Sequence, residues 1–420
     1  MKKYVILALN ITDMGGVHQY CRNKCDAVKR YGYKPLVFSG TFGDIYIPEL
    51  KEFSNNIYPE LRYPPYCFTK KRVNRVINKI SDTIDNKSEE VVIECLTIAN
   101  SEWGELIAKK IKAKSVAFIL DEQYDTSNQE LDFLKFKHDR KELAGIKKQS
   151  LCILFGNKYL VPDEEQYSIS ALCTNVVADY DYNVPFSKTN DTVVIGSIGR
   201  LDKGYVLQLI TDLSTYFRNN VQQKYILCLV GGAPNKNIIT EIKNIISTLP
   251  NVDLFITGYI YPIPKNLLNT FDVSIGTSGG ANITALYERI PTISVDTHSS
   301  RPIGILNYTT KESTYANSET HQDLSYYLDE ILKNHSFDYT KDLGMKAPAD
   351  TFKDEVERVM KEFVDTSFQK EYYDVAILRP VGLKYLTYSI IGKMFGANVL
   401  TSCHQKLFSR VKFVFKLIRK

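Results

Sequence analysis

A β-branched run, Thr192-Val193-Val194-Ile195, leads directly into Gly196-Ser197-Ile198-Gly199-Arg200-Leu201-Asp202-Lys203-Gly204. No other stretch limits the fold of this chain so strongly. The run reads as a strand and Val206 to Asn219 reads as a helix, so the glycines fall where one turns into the other. Such a junction presents backbone N–H groups and the positive end of a helix dipole, which together hold an anion. Arg200 and Lys203 add two cationic donors suited to a diphosphate. Taken alone, the element is equally a glycine turn with two solvated charges. The rest of the chain decides between the two.

Two more glycine clusters follow apolar runs. Met14-Gly15-Gly16 comes after Tyr4 to Leu9, and Ser278-Gly279-Gly280 comes after Val273-Ser274-Ile275. Between them the chain alternates strand and helix patterns. The first half predicts a helix from Val17 to about Arg30, strands at Leu36 to Phe38, Val91 to Ile93, Val116 to Leu120 and Leu151 to Leu154, a basic helix from Lys70 to about Asp85 and another helix from Glu102 to Lys112. The second half predicts strands at Tyr225 to Val230, Val252 to Ile256 and Thr292 to Val295, with helices at Asn237 to Thr248 and Ile283 to Arg289. That alternation implies parallel sheets with helical crossovers. Two such units join near Asn183 to Asp191. Ligands of open parallel sheets sit beyond the carboxyl ends of the strands, where all three glycine clusters lie. The expectation is an α/β protein with one ligand held in a cleft between two domains.

Charge is unevenly placed. From Ala376 onward there are nine Lys or Arg and no acid, whereas the preceding 375 residues hold 44 bases and 48 acids. Within this tail, Leu407, Phe408, Val411, Val414, Phe415 and Ile418 share one helical face, and Lys406, Arg410, Lys412, Lys416 and Arg419 occupy the other. A basic amphipathic helix of this kind lies at an anionic membrane surface. Docking on a partner, or on the protein's own body, is the alternative. No recognition motif accompanies the charge, so nucleic acid is not expected. Met1 to Leu9 reads as a buried strand rather than a secretory signal, and no uncharged apolar run is long enough to span a bilayer. Eight scattered cysteines suit a reducing compartment, and Cys21 and Cys25 read as core thiols.

On these motifs the chain resembles the retaining GT-B glycosyltransferases, specifically glycosyltransferase family 4, over roughly residues 4 to 365. Gly15-Gly16 is similar to the family's double glycine, whose amides approach the donor phosphate. Gly199-Arg200-Leu201 with Lys203-Gly204 resembles the element whose Arg and Lys hold the nucleotide diphosphate. Gly258-Tyr259-Ile260 resembles the segment that borders the base, Phe271-Asp272-Val273 the approach to the donor loop, and Ile290-Pro291-Thr292-Ile293-Ser294 the proline and strand after it. The resemblance implies that the loop and helix start Ser278, Gly279, Gly280, Ala281, Asn282 and Thr284 also face the donor.

One departure is large. The family carries two glutamates eight positions apart, and the corresponding positions here are Gly276 and Thr284. Glu288 is expected to lie too deep to substitute. In the first domain the family's usual histidine is absent, and Asp121 of Leu120-Asp121-Glu122 is the nearest polar group, with His18 a further option. The Tyr- and Pro-rich stretch from Ile45 to Phe68 is a possible acceptor wall, with core packing as the alternative for most of its tyrosines.

The resulting expectation is a GT-B protein with two Rossmann-like domains facing a central cleft and a C-terminal helical tail. Its parts are residues 1–186 (acceptor domain), 187–350 (donor domain), 351–375 (crossover helix) and 376–420 (basic tail). The implied activity is sugar transfer from a nucleotide-diphosphate donor to a glycan or lipid-linked glycan acceptor in surface polysaccharide assembly, with retention and without a metal or other cofactor. Arg200, Lys203 and Asp121 are its expected catalytic residues, and the expected location is the cytoplasmic face of a membrane. The alternative is a catalytically silent GT-B module that binds a sugar or a partner subunit.

Overall fold

Apolar runs without polar alternation make strands covered on both faces, and both sheets of this protein are built from such runs. The structure, a computed structural model, describes residues 2–84, 90–121, 126–277, 279–311, 313–316, 321–334, 348–366 and 371–404. The chain divides into two compact units, one of Met1–Asp13, Cys21–Ile169 and Glu357–Lys420, the other of Met14–Tyr20 and Ser170–Val356.

The first unit is built from β1 (Lys3–Ala8), α1 (Gly16–Arg30, its first turn counted with the second unit), β2 (Lys34–Ser39), α2 (Lys70–Ile84), β3 (Val91–Cys95), α3 (Ile98–Ile111), β4 (Lys114–Ile119), α4 (Asn128–Asp139), β5 (Leu143–Gly145) and α5 (Ser150–Phe155). Its five strands form a parallel sheet in the order β2-β1-β3-β4-β5. Val5, Leu7, Ile93, Trp103 and Ile107 lie in one core between sheet and helices. Ser127 and Glu130 form a capping box that starts α4.

The second unit continues with β6 (Val177–Ala178), β7 (Thr192–Ile198), α6 (Gly204–Asn219), β8 (Lys224–Val230), α7 (Lys236–Ile246), β9 (Val252–Ile256), β10 (Ile263–Pro264), α8 (Lys265–Leu268), β11 (Val273–Gly276), α9 (Gly279–Tyr287), β12 (Thr292–Val295), β13 (Pro302–Ile305), α10 (Leu324–Leu332) and the start of α11 (Pro348–Val359). Six strands pair in the order β13-β12-β11-β7-β8-β9, all parallel except β13. The chain builds outward from β7 through β8 to β9, then returns to the other side of β7 with β11 and β12. The order therefore reverses between β7 and β11. Their carboxyl ends mark the place where doubly wound sheets bind ligands.

Two expectations need correction. Leu151 to Leu154 belongs to helix α5, and the edge strand is Leu143–Gly145. A short apolar run does not distinguish a strand from one turn of buried helix, and the true strand contains no β-branched residue. Helix α9 begins at Gly279 rather than Ile283, because the small residues from Gly279 to Asn282 already have helical geometry. The terminal face from Lys406 to Arg419 lies outside the described residues. Helix α12 (Gly382–Phe395) packs in the first unit, and no helix among the described residues is long and apolar enough to cross a membrane.

Glu102, on α3, is fully buried, and neither carboxylate oxygen has a hydrogen-bond partner among the described residues. Burial, and then the Glu130 carboxylate, push its pKa well above the usual range. In the unfolded chain the same group ionises at about pH 4.3. Folding therefore takes up a proton, and stability falls as pH rises above the unfolded value until the folded pKa is passed. Glu102→Gln removes that dependence. The variant should match wild type near pH 4 and exceed it increasingly as pH rises above that, by up to about 1.4 kcal/mol per pH unit. Urea midpoints measured across that range check this.

Candidate functional site

Strand β7 runs to Ile198, three residues beyond the β-branched run, so Gly196 lies inside the sheet. A Cβ there would come within 2.0 Å of the Phe271 ring, which explains the glycine without any ligand. The turn proper begins at Gly199, whose φ of 138° favours glycine. Gly199 N–H donates to the Val230 carbonyl at 3.0 Å and Leu201 N–H to the Gly232 carbonyl at 2.9 Å. The loops after β7 and β8 are thus laced together. A Cβ on Gly231 would lie 1.9 Å from the Gly199 carbonyl oxygen.

Lys203 is the N-cap residue of α6. It makes no side-chain capping bond, and the first turn contains no acid. The N-cap side chain thus supplies no acceptor at the start of α6, and the positive end of the helix dipole attracts anions. The Arg200 guanidinium pairs with the Asp202 carboxylate at 3.2 Å, both side chains about one-third exposed.

After β11, Thr277 and Thr297 share a hydroxyl hydrogen bond of 2.8 Å. Ser278 lies outside the described residues, and α9 starts at Gly279. A Cβ on Gly280 would lie 2.2 Å from the Cys173 carbonyl oxygen, so backbone meets backbone there, and a Cβ on Gly16 would sit in ordinary contact with the same cysteine, 3.8 Å from its Cβ. The 171–173 turn is held by Glu355, whose carboxylate accepts the Ala171 and Leu172 N–H groups at 2.9 and 3.0 Å. Ala281 is partly buried against the apolar core.

Asn282 and Thr284 turn inward. Asn282 is buried, and its amide donates to the Gly276 carbonyl, the Ser294 hydroxyl and the Ser313 carbonyl at 3.0 to 3.2 Å. The Thr284 hydroxyl accepts the backbone and side-chain N–H of Asn175 at 3.0 and 3.2 Å. A Cβ on Gly276 would lie 2.9 Å from the Asn282 side-chain oxygen. The two positions where the family has glutamates are thus filled by tight packing and by a buried hydroxyl. Glu288 pairs with Lys265 at 3.8 Å.

Gly15, Asn175, Gly199, Gly231 and Tyr259 line one concavity, open to solvent, whose lining lies entirely within the second unit. Tyr259 lays its ring against Gly232, where a Cβ would sit 3.1 Å away. Gly258 has φ 70°, the left-handed turn that redirects the chain into this tyrosine. Sequence reasoning singled out Gly15, Gly199 and Tyr259 but not Asn175 or Gly231. Gly231 carried a legible signal, a glycine pair ending a strand, while Asn175 carried none. Beside this region burial pushes the Asp296 carboxyl up, but the N–H groups of Ala316, Ser299 and His298 outweigh it and hold the carboxyl below the ordinary value, fixing the loop after β12. His18 is buried on the first turn of α1. Asp121 is half-buried in the first unit, just past the end of β4.

No protein-family model matches the sequence, and no curated protein matches it. Solved structures do resemble it. A glycosyltransferase of Rickettsia africae ESF-5 is 15% identical, with 87% of this chain and 100% of that one covered and a TM-score of 0.59. Anabaena HepE, solved in complex with UDP and glucose, is 14% identical, with 87% and 100% covered and a TM-score of 0.57. TarM is 12% identical, with 86% and 99% covered and a TM-score of 0.53. The chain has the GT-B fold of these proteins, with two Rossmann-like units.

Proposed function

We propose that this protein is a glycosyltransferase that binds a nucleotide-diphosphate sugar in the concavity of its second unit and transfers the sugar to a glycan or lipid-linked glycan. One observation carries the reading: Gly15, Gly199, Gly231 and Tyr259 line a single concavity at the carboxyl ends of the six-stranded sheet, next to the loop that leads into α6. Bare backbone, helix amides and an aromatic ring at such a position suit a diphosphate and a base. The UDP bound by HepE, which has the same fold, supports this choice of donor class.

In the transfer step the bond between the anomeric carbon and the diphosphate oxygen breaks, the acceptor oxygen takes its place on the same face, and the acceptor hydroxyl's proton passes to the departing diphosphate. Negative charge collects on the departing diphosphate. Arg200, Lys203 and the α6 amides stabilise it, and the protein supplies no nucleophile and uses no metal. Acceptor choice is assigned to the first unit, with Asp121 as its polar group. The reading includes surface polysaccharide assembly at the cytoplasmic face of a membrane, reached through residues 376–420. Their charge, nine bases and no acid, supports this.

Gly231→Ala tests the donor site. A ligand at about a hundredfold over its dissociation constant stabilises the native state by about 2.7 kcal/mol. Wild-type protein should melt higher with UDP or another nucleoside diphosphate, and the variant should lose that gain because its Cβ forces the two loops apart. An unchanged ligand response in the variant would remove the concavity from the proposal. The second reading, a silent binding module, is favoured by the absence of an acid at Gly276 and Thr284. It predicts the same melting shift without hydrolysis of any nucleotide sugar, whereas an enzyme should show slow hydrolysis.

A further inference from the structure

Helix α12 has two apolar faces. Its inner face is accounted for. The Ser389 hydroxyl donates to the Tyr66 carbonyl at 3.2 Å, and Gly392 sits so close that a Cβ would lie 2.4 Å from the Cys67 carbonyl oxygen. Tyr385 and Tyr388 meet Tyr66 and Tyr63 edge-on, with ring centroids 6.5 and 5.7 Å apart. The helix is therefore seated on the tyrosine-rich segment of the first unit.

The outer face carries Leu383, Leu386, Ile390 and Met394, which are 81%, 48%, 52% and 69% exposed. Their spacing of three, four and four residues puts them in one stripe. Ile377, Val381, Phe395 and Val399 extend the exposed apolar surface at both ends. A contiguous patch of this kind marks an interaction site. Lys384 and Lys393 are exposed on the same helix, Arg379 precedes it, and no acid occurs from Ala376 onward.

We infer that the outer face of α12 is an interfacial anchor that lies in the surface of an anionic bilayer. Leu383, Leu386, Ile390 and Met394 enter the acyl boundary, while Arg379, Lys384 and Lys393 meet the headgroups. The apolar stripe supplies burial and the acid-free flanks supply charge complementarity, the two terms that govern binding of helices lying in the interface. The inference deepens the membrane part of the reading above by naming the element and its orientation, and it holds whether or not the protein transfers sugar.

The test is flotation of the full chain with phosphatidylcholine vesicles, with and without phosphatidylglycerol. Wild type should float only with the anionic vesicles. Leu383→Ser, Leu386→Ser, Ile390→Ser and Met394→Ser combined should weaken partitioning by at least about a hundredfold. Lys384→Glu with Lys393→Glu should weaken it at least about tenfold. Leu386→Trp gives a readout that needs no loss of binding: its emission should shift to the blue with anionic vesicles, against the constant signal of buried Trp103. An unshifted emission overturns the inference. So does loss of flotation on deleting residues 405–420 while the serine variant floats normally, although the tail would then still reach the membrane. If wild type sediments as a dimer that the serine variant breaks, and neither floats, the face is a self-interface and the inference is wrong. A protein that floats as described yet turns over no nucleotide sugar would defeat the transferase reading alone.

Discussion

Arg200→Ala should reduce sugar transfer by about 10²–10³-fold, the usual loss when one preorganised donor to a developing anion is removed. Arg200 follows the Gly199 turn and is held near the start of α6 by two backbone hydrogen bonds of its loop to the β8 side. Its guanidinium pairs with Asp202, two residues on, at 3.2 Å, both side chains partly exposed. Exposed pairs of this kind contribute about 0–1 kcal/mol, so the melting temperature of the variant should hardly move. The loss should fall on turnover and on the stabilisation by nucleoside diphosphate. Arg200→Lys should recover part of it, because a lysine keeps the charge but not the planar two-donor fork. The measurement is steady-state transfer, or donor hydrolysis, with the nucleotide sugar that most raises the melting temperature. Near-normal turnover in the alanine variant would take Arg200 out of the chemistry.

Lys137→Met should have the largest effect on stability, a loss of about 3–5 kcal/mol. The Lys137 ammonium, with 2% of its side chain exposed, pairs with Glu142 at 3.0 Å and with Glu105, and donates to the Ser115 carbonyl at 2.9 Å. Glu105 in turn accepts the Tyr373 N–H at 2.8 Å. One cation thus ties α3, α4, β4 and the segment before α12 together. A methionine fills the space but leaves buried Glu105 without the Lys137 charge and Glu142 with Arg140 alone, at 3.4 Å, and the desolvation cost of Glu105 is not recovered by that pair. Native proteins have only about 5–15 kcal/mol in hand, so the variant should unfold at a much lower urea concentration at neutral pH. Lys333→Met is the control. It removes an exposed pair with Asp329 at 2.8 Å and should cost no more than about 1 kcal/mol. Equal midpoints for the two variants would mean that the buried cation contributes nothing beyond a surface charge.

Most strands of both sheets were legible because fully buried parallel strands are written as unbroken apolar runs, such as Tyr4 to Leu9 and Tyr225 to Val230. Turn glycines such as Gly199 and Gly258 are legible because their positive φ favours glycine, and Gly280 because backbone crowding admits nothing larger. Exceptions follow from the same physics. Leu143–Gly145 is too short to carry a pattern, and Leu151 to Leu154 shows four apolar residues that fit one helical turn as well as a strand. Gly196 looks like a turn glycine but answers to the Phe271 ring across the sheet, a relation only tertiary structure reveals. At the site, Asn282 and Thr284 read as ligand-facing from their place after the donor loop. Their hydrogen bonds to Ser313 and Asn175, 31 and 109 residues away, turn them inward. Asn175 reaches the concavity from a loop with no motif, so nothing in the sequence marked it. The tyrosine-rich stretch could be read as a wall or as core. Tyr63 and Tyr66 turn out to be the seat of α12, whose own pattern was masked by being apolar on two sides.

The lacing of Gly199 to Gly231 has a consequence for anyone redesigning donor preference. A side chain at Gly231 displaces the Gly199 carbonyl and one at Gly199 strains a positive-φ turn, so the two loops form a single mutational unit. Libraries that vary one loop against a fixed partner should yield mostly inactive clones, whereas swapping both together from another protein of this architecture should preserve the seam.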